Sequence, residues 1–174
     1  WKLVGQLFLS LLAINLGFEI KTIQIPILQI VELGPWSWII TIIWIVGIIN
    51  AVNLMDGLDG LAGGLAITAL VFFGIICWWQ NQYSILIIIF LLIGVTIGFW
   101  LFNRPKASIF MGDSGSMFLG YSLALLSIWV TDIPGRGPSS LPLLILAIPI
   151  LDTAFSFFRR FIKGIPFYSA DKDH

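Results

Sequence analysis

Long uncharged apolar runs alternate with short polar breaks along this chain. A spanning helix needs roughly 20 apolar residues, because the hydrocarbon core is about 30 Å thick and each residue rises about 1.5 Å. Six runs approach that length: Leu3–Phe18, Trp36–Met55, Leu61–Trp79, Tyr83–Phe102, Ser116–Val130 and Leu141–Phe161. Gln80-Asn81-Gln82 divides an otherwise uncharged stretch into two of them. Trp78, Trp79 and Tyr83 flank that break, as an interfacial aromatic belt does. The segment from Thr22 to Glu32 alternates polar and apolar residues in its first half, which predicts a short β-hairpin serving as a structural cap. The expected fold is an all-α polytopic membrane protein, with about six transmembrane helices and a short hairpin on the outer face.

Composition agrees. Hydrophobic residues make up 59% of the 174 residues and charged residues 10%, against about 25% charge in a soluble domain. Residues 1–174 are expected to form a single transmembrane domain with no separate soluble unit. The zero formal net charge argues against a nucleic-acid partner. The lone Cys77 sits in an apolar run and reads as a packing side chain. The chain opens on Trp1 and closes on His174 directly after a polar run, so upstream and downstream segments of a longer protein are expected. No signal-peptide pattern is present in the sequence.

Lysine and arginine positions give the orientation. With six spans, Lys2, Arg104, Lys106, Arg159, Arg160, Lys163 and Lys172 fall on one face, and only Lys21 and Arg136 on the other. The basic face is expected to be cytoplasmic.

Two polar knots interrupt the pattern on that face. The first is Asn50-Ala-Val-Asn53-Leu-Met-Asp56-Gly-Leu-Asp59-Gly-Leu-Ala-Gly-Gly64, and the second runs from Asn103 to Ser116. Carboxylates at the end of a span are costly unless they meet water, a cation or a substrate. Asn53, Asp56 and Asp59 recur every third residue, so Asn53 and Asp56 share a helix face while Asp59 points further round. Gly57 and Gly60 weaken the helix there. Asp113 lies between glycines in Phe110-Met-Gly-Asp-Ser-Gly-Ser, which frees backbone amides for anions. Asp113 with Asn53 and Asp56 suits a hard divalent cation, and magnesium takes few protein oxygens plus phosphate and water. Arg104 and Lys106 stand nearby in sequence to neutralise phosphate charge. The combination points to phosphoryl chemistry at a membrane face.

Other readings fit less well. Gly112-Asp-Ser-Gly115 is no serine-hydrolase centre: the only histidine is His174, and a nucleophile elbow needs glycine where Ser116 stands. The sequence contains no phosphate-binding Gly-Lys-Ser/Thr loop, dinucleotide fingerprint or EF-hand spacing. A transporter or channel with a carboxylate-lined site is the rival class, but such sites lie near the bilayer midplane rather than at span ends. Asp152 interrupts the last span, two helical turns before Arg159. It reads equally as a functional carboxylate and as a polar packing anchor. Gly57, Gly60 and Gly64 lie near one stripe, as do Gly94 and Gly98, and helix packing is expected for the second pair.

The two knots resemble the polyprenyl-phosphate N-acetylhexosamine-1-phosphate transferase family, through Asn-Ala-Val-Asn-Leu-Met-Asp-Gly-Leu-Asp-Gly-Leu-Ala-Gly-Gly and Phe-Met-Gly-Asp-Ser-Gly-Ser. Ser169-Ala-Asp-Lys-Asp-His174 is similar to the start of that family's cytoplasmic histidine loop. The resemblance implies transfer of a sugar-1-phosphate from a UDP-sugar to undecaprenyl phosphate, releasing UMP, for envelope polysaccharide synthesis. It implies a multi-pass protein of the bacterial inner (plasma) membrane, with Mg2+ as cofactor and Mn2+ as a substitute. It leaves room for a homodimer. By motif position it implies Asn53 and Asp113 as metal ligands, and Asp56 and Asp113 as the acidic catalytic centre. Asp59, Asn103, Phe110 and His174 become substrate-binding residues: Asp59 and Phe110 at the uracil, Asn103 lining the cleft, His174 opening the histidine loop. Within the family, the motifs look more like the branch using UDP-N-acetylglucosamine than the one transferring phospho-N-acetylmuramoyl-pentapeptide. The family's paired-aspartate motif belongs shortly before the segment that begins this chain and is not present in residues 1–174, and the histidine loop is incomplete at His174. The chain alone is therefore expected to be inactive.

Overall fold

The computed structural model describes residues 1–24, 30–131, 140–153 and 155. The elements run α1 (Lys2–Asn15), β1 (Thr22–Gln24), β2 (Ile30–Glu32), a 3-10 turn (Gly34–Trp36), α2 (Ser37–Met55), α3 (Leu61–Trp79), α4 (Tyr83–Asn103), α5 (Gly112–Thr131) and α6 (Leu141–Ile145). Among the described residues, four helical stretches are long and apolar enough to cross a membrane: Gly34–Met55, Leu61–Trp79, Tyr83–Asn103 and Gly112–Thr131. The protein is an all-α polytopic membrane protein. Its expected hairpin is present, with Thr22 opposite Glu32 and Gln24 opposite Ile30.

The first and last runs are less regular than their hydropathy predicts. α1 has 14 residues and stops before Gly17, whose φ of +94° no other residue adopts readily. In the last run, α6 halts at Leu146 before helical backbone resumes at 147. Pro149 explains the break, because it has no N–H for the Ile145 carbonyl and its ring crowds that carbonyl. Residues beyond Phe155, including Arg159 and His174, lie outside the described residues.

The packing pairs α2 with α5 and α3 with α4, and α1 lies against α2. Ile45, Ile48 and Ile49 of α2 meet Leu123 and Ala124 of α5 in a core that also holds Leu70, Phe73 and Ile89. The closest approach is at Gly120, where an added Cβ would stand 2.8 Å from Ile49 Cα. Polar clips fix the register around this contact. Gln6 and Asn50 exchange amide hydrogen bonds of 3.3 and 3.0 Å between α1 and α2. Toward the hairpin end, Trp44 Nε1 donates to Ser127 Oγ at 2.8 Å, and Ser37 Oγ donates to the Ile20 carbonyl at 2.6 Å. Asn50, part of the first polar knot, is thus a helix clip.

Gly94 and Gly98 do not behave as expected. An added Cβ at either position meets no atom within 4 Å, so they are not a helix contact among the described residues. α4 instead turns Ile87, Leu91 and Val95 outward, as a lipid-facing surface does. Gly60, Gly63 and Gly64 do receive α4, forming a notch around the Trp100 indole.

Candidate functional site

Both polar knots converge at one end of the bundle. α2 ends at Met55, and residues 56–60 form turns that feed α3 through Gly60 at φ +75°. The α5 helix begins four residues earlier than the hydrophobic pattern predicts. Gly112-Asp-Ser-Gly forms its first turn, with Gly112 at φ +67° on entry. Two hydrogen bonds and one charge explain the early start. The Gly112 N–H donates to the Asp56 carboxylate, so a carboxylate from α2 satisfies one of the helix's orphan amides. Ser116 Oγ donates back to the Gly112 carbonyl at 3.0 Å. Asp113 lies in the first turn, where the helix dipole favours negative charge.

The centre of the site is the contact between α2 and α5. Asn53 Nδ2 donates to Asp113 Oδ1 at 3.2 Å and to Ser116 Oγ at 2.7 Å. Its nitrogen is occupied by α5, which leaves its oxygen as the end available to a cation. Lys2, at the start of α1, forms an ion pair with Asp113 Oδ2. Asp56 is partly buried, and that burial raises its pKa; the Gly112 N–H works against the rise and the charge of Asp113 adds to it. Two carboxylates therefore repel each other beside an amide oxygen, the situation a cation relieves.

The donors on offer are oxygens, the ligand type of hard divalent cations. Among the described residues, no group of three or more His, Cys, Asp and Glu side chains could hold a metal ion. A closed protein cage is not on offer. Two carboxylates and an amide oxygen, open to solvent, are what magnesium accepts when phosphates and water complete its shell.

Asp59, Asn103 and Phe110 lie on the flank formed by α3 and α4. Asp59 Oδ2 accepts the Ala107 N–H at 3.1 Å, which joins the first knot to the second. Phe110 is 75% exposed, so its ring is free to meet a ligand. Asn103, expected to line the cleft, is only 4% exposed. Its Oδ1 accepts the Gly60 N–H at 3.1 Å, and its Nδ2 donates to the Ile109 carbonyl at 2.9 Å. Arg104 and Lys106 are exposed at the rim. Asp152 is exposed away from these contacts.

Several participants escaped the sequence reading. Lys2 entered only the orientation argument, although a cation at the head of an apolar run on the acidic face was a usable signal. Ser116, fully buried beneath Asn53 and Asp113, stood in a quoted motif without a role. Trp100 had no sequence signal at all.

Comparison with known proteins follows the same residues. The pattern describing glycosyl transferase family 4 matches residues 1–131, which contain both knots. A Bacillus subtilis protein named "Probable undecaprenyl-phosphate N-acetylglucosaminyl 1-phosphate transferase" is 37% identical over 175 residues, covering 99% of this chain and 49% of that protein. The phospho-N-acetylmuramoyl-pentapeptide-transferase of Listeria monocytogenes is 43% identical over 134 residues, covering 74% of this chain and 41% of the relative. Its counterpart in Lactiplantibacillus plantarum is 40% identical over 131 residues, covering 73% and 40%. The chain spans half or less of the length of these curated relatives. With the family pattern covering three-quarters of its length and both polar knots, the chain belongs to glycosyl transferase family 4.

Proposed function

We propose that this protein transfers N-acetylglucosamine-1-phosphate, or a related sugar-1-phosphate, from a UDP-sugar to undecaprenyl phosphate. The observation that carries the reading is the Asn53–Asp113 contact between separate helices, with Asp56 and Lys2 beside it at the bundle's polar end. An oxygen of the lipid phosphate attacks the donor's β-phosphorus. The bond from that phosphorus to the bridging oxygen breaks, and UMP leaves with the electron pair. Phosphoryl transfer of this kind needs positioning and charge neutralisation more than covalent help from the protein.

The chain's residues divide that work. Asn53 and Asp113 would hold Mg2+, or Mn2+ in its place, with Asp56 alongside. When bound, the ion neutralises the donor's diphosphate. Lys2 moderates the negative charge of Asp113 and stands within reach of a phosphate. Arg104 and Lys106 draw anions to the rim. Asp59 and Phe110 receive the uracil, and His174, outside the described residues, is assigned to the diphosphate or sugar by its motif alone.

A location at the cytoplasmic face of the plasma membrane supports both substrates, since the nucleotide arrives from water and the lipid from the bilayer. The basic residues Lys2, Arg104 and Lys106 at this end favour that orientation. The choice of N-acetylglucosamine draws support from the B. subtilis match, which runs along 99% of the chain, against 74% for the Listeria pentapeptide transferase.

The test is UMP release by the full-length protein given UDP-N-acetylglucosamine and undecaprenyl phosphate, with and without magnesium. Magnesium-dependent release supports the reading. Release only with UDP-N-acetylmuramoyl-pentapeptide moves the protein to the other branch. Solute transport without UMP release favours the transporter class.

A further inference from the structure

Asp59 and Phe110, the two side chains assigned above to the base, are exposed and sit on separate turns. Each is one residue away from a backbone group held by α4. Gly60, after Asp59, is gripped on both sides: its N–H by Asn103 Oδ1 at 3.1 Å, and its carbonyl by the Trp100 indole N–H at 3.0 Å. Ile109, before Phe110, gives its carbonyl to the same Asn103 side chain at 2.9 Å. Trp100 and Asn103 are three residues apart, so they stand on one face of the last turn of α4.

Sequence and sterics make this arrangement specific. Gly60 occupies the left-handed region at φ +75°, and a Cβ there would lie 3.1 Å from Arg104 Cα. A Cβ at Gly63 would lie 3.1 Å from Trp100 Cδ1, and one at Gly64 3.4 Å from Trp100 Nε1. The Gly-rich start of α3 is thus a socket shaped to an indole. Asn103 is 4% exposed, so its amide bonds form away from competing water and the two turns are held stiffly.

We propose that Trp100 and Asn103 are positioning residues that hold the two turns carrying Asp59 and Phe110, and so set the affinity for the uridine end of the donor. The inference rests on the nucleotide reading above and adds the device that holds those two turns together. Asn103 acts through its neighbours' backbone, and Trp100 does not touch the substrate.

The experiment uses the full-length protein and measures KM for UDP-N-acetylglucosamine, KM for undecaprenyl phosphate, kcat and thermal midpoint in detergent. Trp100→Phe keeps a ring in the socket and removes only the N–H. It should raise the nucleotide KM roughly fivefold, the order expected for one lost hydrogen bond, with kcat and the lipid KM within about twofold. Asn103→Leu should raise the nucleotide KM more, because it frees both turns. In a Phe110→Ala background, Asn103→Leu should have a smaller effect than alone, since part of its action passes through Phe110.

Unchanged nucleotide KM in a folded Trp100→Phe protein overturns the proposal. So does a parallel worsening of both KM values, kcat and thermal midpoint, which marks a merely structural contact. Asp59→Ala and Phe110→Ala separate the two levels of inference. If they raise nucleotide KM and the α4 variants do not, the clamp alone fails. If neither changes nucleotide KM, the base-binding assignment fails and takes the clamp's role with it.

Discussion

Replacing Gly120 with alanine tests whether the site depends on the closest approach between α2 and α5. A Cβ at this position would sit 2.8 Å from Ile49 Cα and 3.3 Å from the Ile48 and Ile49 carbonyl oxygens. All three are backbone atoms, so no rotamer change relieves the clash. Carbon atoms settle at about 3.5–4.0 Å, so α5 must back away by roughly 1 Å. Asp113 is seven residues up the same helix, about two turns away. A rigid α5 carries that displacement to Asp113 and lengthens its 3.2 Å bond to Asn53 beyond hydrogen-bond range. Overpacking of this kind costs about 1–3 kcal/mol. A misplacement of about 1 Å at a reacting centre costs on the order of 100-fold in rate. Gly120→Ala in the full-length protein should therefore lower both the thermal midpoint in detergent and UMP release, with activity falling further than stability explains. Gly47→Ala is the matched control: it lies on α2, and an added Cβ meets nothing within 4 Å. It should leave both quantities near wild type. Wild-type turnover in Gly120→Ala would refute the claim that this contact sets the geometry of Asn53 and Asp113.

Three further outcomes follow from the site. Asp113→Asn should reduce UMP release by about 100-fold or more, the scale of removing a group that supports transition-state charge, and should flatten the response to added magnesium; near-normal turnover in a magnesium titration removes the residue's metal role. Lys2→Met should slow UMP release severalfold yet barely move the thermal midpoint, because water screens an exposed ion pair; a large loss of stability with intact activity would make the pair structural. Asp56 has a raised pKa, chiefly through burial, so its protonated form favours the folded state. Its stabilising contribution is therefore full below the ordinary value of 3.8 and is lost as pH rises through the higher folded value. Magnesium-free melting of wild type and Asp56→Asn from acid to neutral pH should reveal wild type gaining relative stability toward acid, and the opposite trend would contradict the burial argument.

The apolar spans were legible in the sequence because lipid burial is decided locally, residue by residue, and polar breaks punish any other register. The central helices accordingly follow the hydropathy closely. Hydropathy alone misplaced the start of α5. Gly112-Asp-Ser-Gly looks like a loop to a hydrophobicity count, yet it helicalises because Asp56 and Ser116 satisfy its end groups. One of those partners comes from another helix, so the signal is tertiary. The same limit explains the glycines. Gly94-x-x-x-Gly98 has the spacing for close packing but faces open space, whereas Gly120, spaced four residues from Ser116 and Ala124, meets the α2 backbone. Which small residue meets a neighbour depends on helix rotation, and the sequence fixes rotation only where polar partners exist.

Those polar partners also account for what could be inferred about the site. Asn53, Asp56 and Asp113 were found because carboxylates and amides are conspicuous in a chain with so little charge. The same rarity drew Asn50 into the first knot, although its side chain exchanges bonds with Gln6 and holds α1 to α2. A buried amide pair and a catalytic amide look alike in sequence, since both are polar residues where apolar ones are expected. What separates them is whether a partner satisfies both ends of the side chain. Asn50 and Asn103 have such partners, while Asn53, among the described residues, is bonded through its nitrogen to Asp113 and Ser116. By that criterion Asn53 is the amide left for the proposed site, and the other two hold its surroundings in place.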